Sequence, residues 1–160
     1  MNFYVSRNTA AGDTLFDILD AYGTPLYTVA GDLGTLSGKL FLRDSGGLEC
    51  ARIHTIGIDP LRKYSVYVEE KECLRITQSG TSLRLGKTDW SLRGEMLTRC
   101  FDVVDGAGVV RMTHGPCWSA RGDACGVQVT HSEDVPVCLC ISVIANSMVQ
   151  YGTGAPVPAN

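Results

Sequence analysis

Four side chains in the last third of the sequence carry the atoms that metal or thiol chemistry requires. His114, Cys117, Cys125 and His131 offer two imidazoles and two thiolates, a donor set suited to tetrahedral zinc. Their spacings, with two, seven and five residues intervening, follow no zinc-finger pattern. On adjacent strands, alternation would divide them between two faces. His114 and Cys117 flank Gly115-Pro116, which puts a base near a nucleophile, but nothing marks the third group that would orient the base. A metal-dependent or thiol centre on these four is the alternative reading. The leading expectation has no metal, no cofactor and no catalytic residue.

The remaining chemistry is that of anions. Residues 80–88 read GTSLRLGKT and end like a phosphate loop, but the glycine spacing is wrong for one, and residues 89–94 do not open a helix whose amino end would face a phosphate. Strand and turn is the expectation there. Arg62 and Lys63 precede one strand, and Arg84 and Lys87 flank the end of another. Gathered by neighbouring strands, these four cations would make a site for a phosphate or a lipid headgroup. Arg93 and Arg99 follow them. The carboxylates of Glu69, Glu70 and Glu72 surround Lys71 and read as a solvated turn. No HExxH run is present, and residues 106–108 lack the third glycine of a dinucleotide fingerprint.

The elements that must position these residues emerge from composition and periodicity. A chain of 160 residues that is 44% hydrophobic and 19% charged is one ordinary domain, too apolar for disorder and large enough to fold without a staple. Its net charge of −3 gives no general attraction to nucleic acid, so an anion site has to be a local patch. The seven cysteines, at 50, 73, 100, 117, 125, 138 and 140, are odd in number and scattered. They read as reduced, mostly buried thiols of a cytoplasmic protein rather than a secreted disulfide framework. The first residues, MNFYVSR, carry no signal-peptide pattern, and neither a myristoylation nor a prenylation motif is present.

One strand-turn-strand plan occurs three times. Residues 15–29 (LFDILDAYGTPLYTV), 39–53 (KLFLRDSGGLECARI) and 99–113 (RCFDVVDGAGVVRMT) each run from an apolar stretch through Asp-x-x-Gly into a second apolar stretch. The Asp carboxylate closes the turn by accepting backbone amides two or three residues on, and Gly supplies the positive φ. Phe16 with Ile18, Leu40 with Leu42, and Phe101 with Val103 share faces at period two. Weaker units follow the same logic. Tyr64, Val66 and Val68 lead into the charged turn 69–72, with Leu74 and Ile76 after it; Leu83 and Leu85 precede 86–89; Trp118 leads through 121–123 into Val127 and Val129. Many short strands with regular turns predict a sandwich or a barrel.

Residues 135–149, VPVCLCISVIANSMV, predict a helix. Asp134 stands where an amino cap would be, Pro136 lies in the first turn, and Gly152 lies past the far end. Ser142, Asn146 and Gln150 form one narrow polar stripe, and the rest of the surface is apolar, so the helix must be buried. Fifteen residues reach only about 22 Å, short of a hydrocarbon core about 30 Å thick, and no Lys or Arg flanks the segment. A helix threaded through a curled sheet is the expectation, with no transmembrane span.

The run FDVVDGAGVVRMTHGPCWSARGDACGVQV, followed by EDVPVCLCISVIANSMVQY, resembles the closing half of LURP-one-related proteins. DTLFDILDAYGTPLYTVAG and KLFLRDSGGLECARI are similar to the front half, so the resemblance covers about residues 3–151. It implies a mainly β fold, an antiparallel tubby-like barrel of twelve strands enclosing one C-terminal apolar helix, as in tubby C-terminal domains and phospholipid scramblases. It further implies one domain over residues 1–151 with its central helix at 135–150; the closing residues GAPVPAN read by composition as the end of a flexible tail at 152–160. Tubby domains bind phosphoinositide headgroups through a basic pocket; LURP-one-related members mostly have no assigned activity. No Lys-x-Arg pair stands on any strand here, and Lys39 and Arg43 lie four apart around Phe41, so no tubby ligand residue transfers. The resulting expectation is a non-enzymatic module, cytoplasmic and peripheral at the membrane, binding an anionic phospholipid or a protein partner and no nucleic acid.

Overall fold

The computed structural model describes residues 1–10, 12–32, 37–58, 61–80, 82–95 and 98–148. Twelve strands form its walls: β1 (Asn2–Arg7), β2 (Thr14–Leu19), β3 (Pro25–Asp32), β4 (Ser37–Asp44), β5 (Glu49–Ile56), β6 (Lys63–Val68), β7 (Lys71–Ser79), β8 (Ser82–Gly86), β9 (Ser91–Glu95), β10 (Cys100–Val104), β11 (Val110–Ser119) and β12 (Gly122–Val129). All belong to one antiparallel sheet, ordered from β8 back to β1 and then from β12 back to β9. The β1–β12 ladder, with Phe3 opposite Val127, wraps this meander into a nearly closed barrel. The two ends of the sheet, β8 and β9, are consecutive in the chain.

Alternation decides what fills the barrel. Phe3 and Val5, Phe16 and Ile18, Leu40 and Leu42, Tyr64 and Val66, Leu74 and Ile76, and Phe101 and Val103 point inward and are buried in one cluster. The axis of the barrel is occupied by α1 (Val135–Met148). Val135, Leu139, Ile141, Val143, Ile144 and Met148 of this helix join the same cluster. A helix apolar on nearly all sides is stable here because strands surround it. Cys138 and Cys140, on different faces of the helix, are both buried. The last two positions of the expected helix, 149–150, and the expected tail at 152–160 lie outside the described residues.

The three Asp-led turns share one geometry. Asp20 Oδ1 accepts the amides of Tyr22 and Thr24, Asp44 Oδ1 those of Gly46 and Leu48, and Asp105 Oδ1 those of Ala107 and Val109, all at 2.9 Å. The carboxylate therefore reaches two and four residues on, one further than the sequence suggests. Gly23, Gly47 and Gly108 take φ of 85°, 87° and 83°, and each donates its amide back to the Asp carbonyl. This is a tight turn closed by a glycine bulge.

Three local expectations are corrected. The charged reversal is confined to Glu69 and Glu70, which both take positive φ, because pairing of β6 with β7 continues to Val68 and Lys71. The last hairpin turns at Ala120 and Arg121, and Gly122 already belongs to β12. Asp134 does not cap α1. It ends a 3-10 turn (Ser132–Asp134), and its carboxylate accepts a hydrogen bond from Arg111 Nη1 at 3.2 Å.

The up-and-down order sorts turns to ends. All three Asp-led turns, the Glu69-Glu70 turn and the start of α1 lie at one end of the barrel. The opposite end carries the end of β5, the start of β6 and the last residues of α1, whereas the tip of the β11–β12 hairpin lies at the first Asp-led turn, with Ala120 against Gly23. No helix among the described residues is long and apolar enough to cross a membrane.

Candidate functional site

The cations singled out from the sequence lie on the outer wall formed by β4 to β8. Register builds two rows across it. In the first, Ser37 pairs with Ile56, Ile56 with Lys63, Lys63 with Thr77 and Thr77 with Arg84. In the second, Lys39 pairs with His54, His54 with Ser65, Ser65 with Arg75 and Arg75 with Gly86. Residues paired in register share a face, so Lys63 and Arg84 stand on the same side with Thr77 between them. Two strand spacings separate their backbones by about 10 Å. Lys63 and Arg84 are exposed and take part in no ion pair among the described residues.

The wall changes sign along the strands. Toward the acidic end, Arg52 bonds to Glu49 at 3.1 Å and to Glu70 at 2.6 Å. Arg75 and Lys87 both reach Glu72 Oε1, at 3.0 and 2.8 Å. The hydrogen bond from Lys87, with those of Arg75 and Ser65, holds the Glu72 carboxyl down to about 2. Lys87 therefore belongs to a neutralised cluster. Arg62 is also set apart: it is only 9% exposed, and its carbonyl accepts the amide of Gln78 at 2.9 Å. Of the four predicted cations, the structure leaves Lys63 and Arg84 displayed together.

His54 reports the field on this wall. Its ring packs 4.8 Å from that of Tyr67. Burial first, then the charges of Lys39 and Arg52, lower its pKa. His54 was missed from sequence, and Lys39 was weighed only beside Arg43, because only the pairing of β4 with β5 and of β5 with β6 sets the two in the row next to that of Lys63. The one recognisable sign was alternation in residues 39–43, which places Lys39 on the opposite face from Leu40.

The alternative centre is taken apart by the fold. His114 is 1% exposed and points into the barrel. Its Nδ1 donates to the Arg99 carbonyl at 2.7 Å, and Ser142 Oγ donates to its Nε2 at 2.9 Å. Its ring stacks on Phe101 with centroids 4.5 Å apart. Cys125 is also inward, with its thiol donating to Asn146 Oδ1 at 3.3 Å. Cys117 pairs with Ala124 in register, one residue out of phase with Cys125, and faces outward. His131 lies beyond β12, where its Nδ1 is 3.2 Å from Arg111 Nη1. Burial raises the Cys117 and Cys125 thiols, which keeps them protonated and poorly nucleophilic. No group of three or more His, Cys, Asp or Glu among the described residues is arranged to hold a metal ion. The residues at 82–86 form β8 and those at 91–95 form β9, so the segment resembling a phosphate loop is strand and turn.

With this geometry in place, comparison with known proteins becomes informative. The family model described as LURP-one-related matches residues 1–146. The uncharacterized protein YxjI of Bacillus subtilis (strain 168) is 26% identical over 140 residues, 85% of this chain and 85% of that protein. An X-ray structure of a protein from Arabidopsis thaliana is similar with a TM-score of 0.64, covering 91% of this chain and 90% of that one at 14% identity. That likeness is one of fold.

Proposed function

The chain belongs to the LURP-one-related family, and from that premise we propose that it is a non-enzymatic tubby-like barrel that binds an anionic phospholipid headgroup on its outer wall. Lys63 and Arg84 are the primary contacts. Arg62, at the entry to β6, and Lys87, once drawn from Glu72, are secondary ones. The observation that carries this reading is the row Lys63–Thr77–Arg84. Two long cationic side chains flank a hydroxyl-bearing residue at a separation that lets both reach one phosphate-sized anion above Thr77. Sequestration of the interior supports a surface role, since α1 and the strands fill it with buried side chains. Binding of this kind makes the protein peripheral to a membrane.

Flotation with neutral vesicles and with vesicles carrying phosphoinositides tests the proposal. Binding is expected only to the second, with loss as salt rises. Lys63→Ala and Arg84→Ala are each expected to weaken it about five- to tenfold, at roughly 1 kcal/mol per cation near the surface. Arg52→Ala, which removes a cation held by two glutamates, is expected to leave it nearly unchanged. Equal flotation with both vesicle types, or with neither, overturns the headgroup reading. Loss of binding to both would leave a protein partner as the function of this wall.

A further inference from the structure

A cavity of about 340 Å³ opens at the acidic end of the barrel. It lies between the Asp44 turn of β4–β5, the Glu69-Glu70 turn of β6–β7 and the first turn of α1. Every connection at this end falls within the described residues. Leu48, Ala51, Tyr67, Val68 and Pro136 supply its apolar walls. Leu48 is 70% exposed, a large aliphatic side chain that the fold leaves uncovered. Cys50 adds a thiol that burial first, then the charge of Asp44, holds protonated and neutral. Apolar walls with a few charged groups, at this volume, are the usual form of a small-molecule site.

Charge selects the occupant. The charged groups at the cavity are Glu49, Glu69, Glu70 and Arg52, three carboxylates against one guanidinium, which leaves two negative charges in excess. Arg52 takes one oxygen from each of two neighbours. Its Nε and Nη2 donate to Glu49 Oε2 at 3.2 and 3.1 Å, and its Nη2 donates to Glu70 Oε1 at 2.6 Å. Glu49 Oε1, Glu70 Oε2 and both oxygens of Glu69 accept from no side chain among the described residues. The other cations of this end are engaged elsewhere. Arg43 lies over the Phe41 ring, 5.4 Å from its centroid, Arg75 and Lys87 bind Glu72, and Arg111 binds Asp105 and Asp134. Lys71 is exposed and lines no part of the cavity. Asp44 and Glu133 add negative charge at the same end. The positive end of α1 meets the cavity through Pro136, but its effective charge is only about half a unit, too little to offset two.

The β6–β7 turn points the same way. Glu69 and Glu70 have φ of 54° and 64°, where asparagine and glycine close a two-residue hairpin with least strain. The fold demands that conformation and not the carboxylates, and strained positions of this kind persist where they serve a site. We propose that the cavity binds a small organic cation, a primary ammonium on a short apolar body. Glu69, Glu70 and the open oxygen of Glu49 hold the ammonium, and Leu48, Val68 and Pro136 pack against the body. Neutral and anionic molecules of the same shape are rejected, since they leave the acceptors unpaired or add to the excess negative charge. This site stands apart from the headgroup reading of the β6–β8 wall and does not depend on it.

Calorimetric titration of the full chain with phenethylamine, phenethyl alcohol and phenylacetate is the test. Phenethylamine is expected to bind saturably, one per chain, with an affinity that falls as salt rises. The alcohol and the acid, which carry the same ring without the ammonium, are expected not to bind. The variant Glu69→Asn/Glu70→Gly separates a ligand role from a structural one. It removes two acceptors and installs the residues the turn prefers. It should lose at least about tenfold in phenethylamine affinity and melt at a higher temperature than the parent. Leu48→Ser, at an exposed position, should weaken phenethylamine binding and leave the melting temperature unchanged. No saturable binding of phenethylamine, or equal affinity for phenethyl alcohol, overturns the proposal. So does a double variant that binds phenethylamine as the parent does; if it also melts lower, the carboxylates serve the end of α1 instead.

Discussion

The imidazole of His114 sits where protonation is costly. Its one N–H is spent on the Arg99 carbonyl, and its other nitrogen accepts from Ser142, so a second proton would displace the serine donor inside the barrel. Burial is the main cause that lowers its pKa from 6.5 to about 4, against the hydrogen bond to Arg99, which raises it. Between those two values the unfolded chain holds the extra proton and the folded one does not. Stability linked to this group is therefore complete above pH 6.5 and declines as pH falls, lost by about pH 4. The amount is about 3 kcal/mol. Urea unfolding between pH 4 and 7 should show this slope in the parent and a flatter one in His114→Gln; equal slopes would refute it. The sequence displayed the residue types of this network but not their meeting. Ser142 and Asn146 stood out as the polar stripe of the helix, and Asn146 Nδ2 indeed bonds the Ser142 carbonyl at 2.9 Å. That His114, Cys125 and Arg99 converge on that stripe depends on how three strands wrap the helix, which no local pattern encodes. Lys63 and Arg84 pose the same problem: each was visible singly, and only register made them a pair.

Hairpins were the most legible elements, because their signals are local. An Asp followed three residues later by Gly predicted all three tight turns, and the carboxylate and the positive φ appear in each. Asp44→Ala removes the acceptor of two amides, Gly46 and Leu48. Both amides are exposed enough for water to replace the carboxylate in part, so the expected loss is about 1–2 kcal/mol, measured as a lower urea midpoint with an unchanged slope. Asp44→Asn should recover part of it, since the amide oxygen still accepts. Where turn signals were absent, sequence reasoning misplaced the reversal. Glu69 and Glu70 adopt positive φ without glycine or asparagine, because the ladders on either side leave only two residues for the crossing. The Asp134 cap failed for a different reason: Arg111, distant in sequence, captures the carboxylate together with that of Asp105. A long-range ion pair outcompeted a local cap.

At the scale of the whole molecule, the apolar helix made the architecture legible. A segment without charge and with one thin polar stripe had to be enclosed, and a meander of short strands was the available enclosure. Removing residues 135–160 should abolish cooperative folding. Val135, Leu139, Ile141, Val143, Ile144 and Met148 alone lose burial at roughly 1.5–3 kcal/mol each, against a net stability of about 5–15 kcal/mol for a typical domain. A truncated chain that stays monomeric with a sharp unfolding transition would refute the central-helix account. The sequence did not show where the sheet would be left open, because the β8–β9 boundary depends on the strand count around the helix rather than on any residue there.

The order of elements along the chain also governs how the protein comes into being. Strands emerge from the ribosome before the helix that fills them, and β1 waits for β12, its partner across more than a hundred residues. Until α1 is released, eight consecutive hairpin-linked strands present their inward faces, Phe16, Ile18, Leu40, Tyr64 and Ile76 among them, with nothing to cover them. Domains whose core is supplied last stay exposed to aggregation throughout synthesis. For this barrel, release of α1 is the step at which a sticky, open sheet becomes a closed one, and a holding chaperone would act before that point.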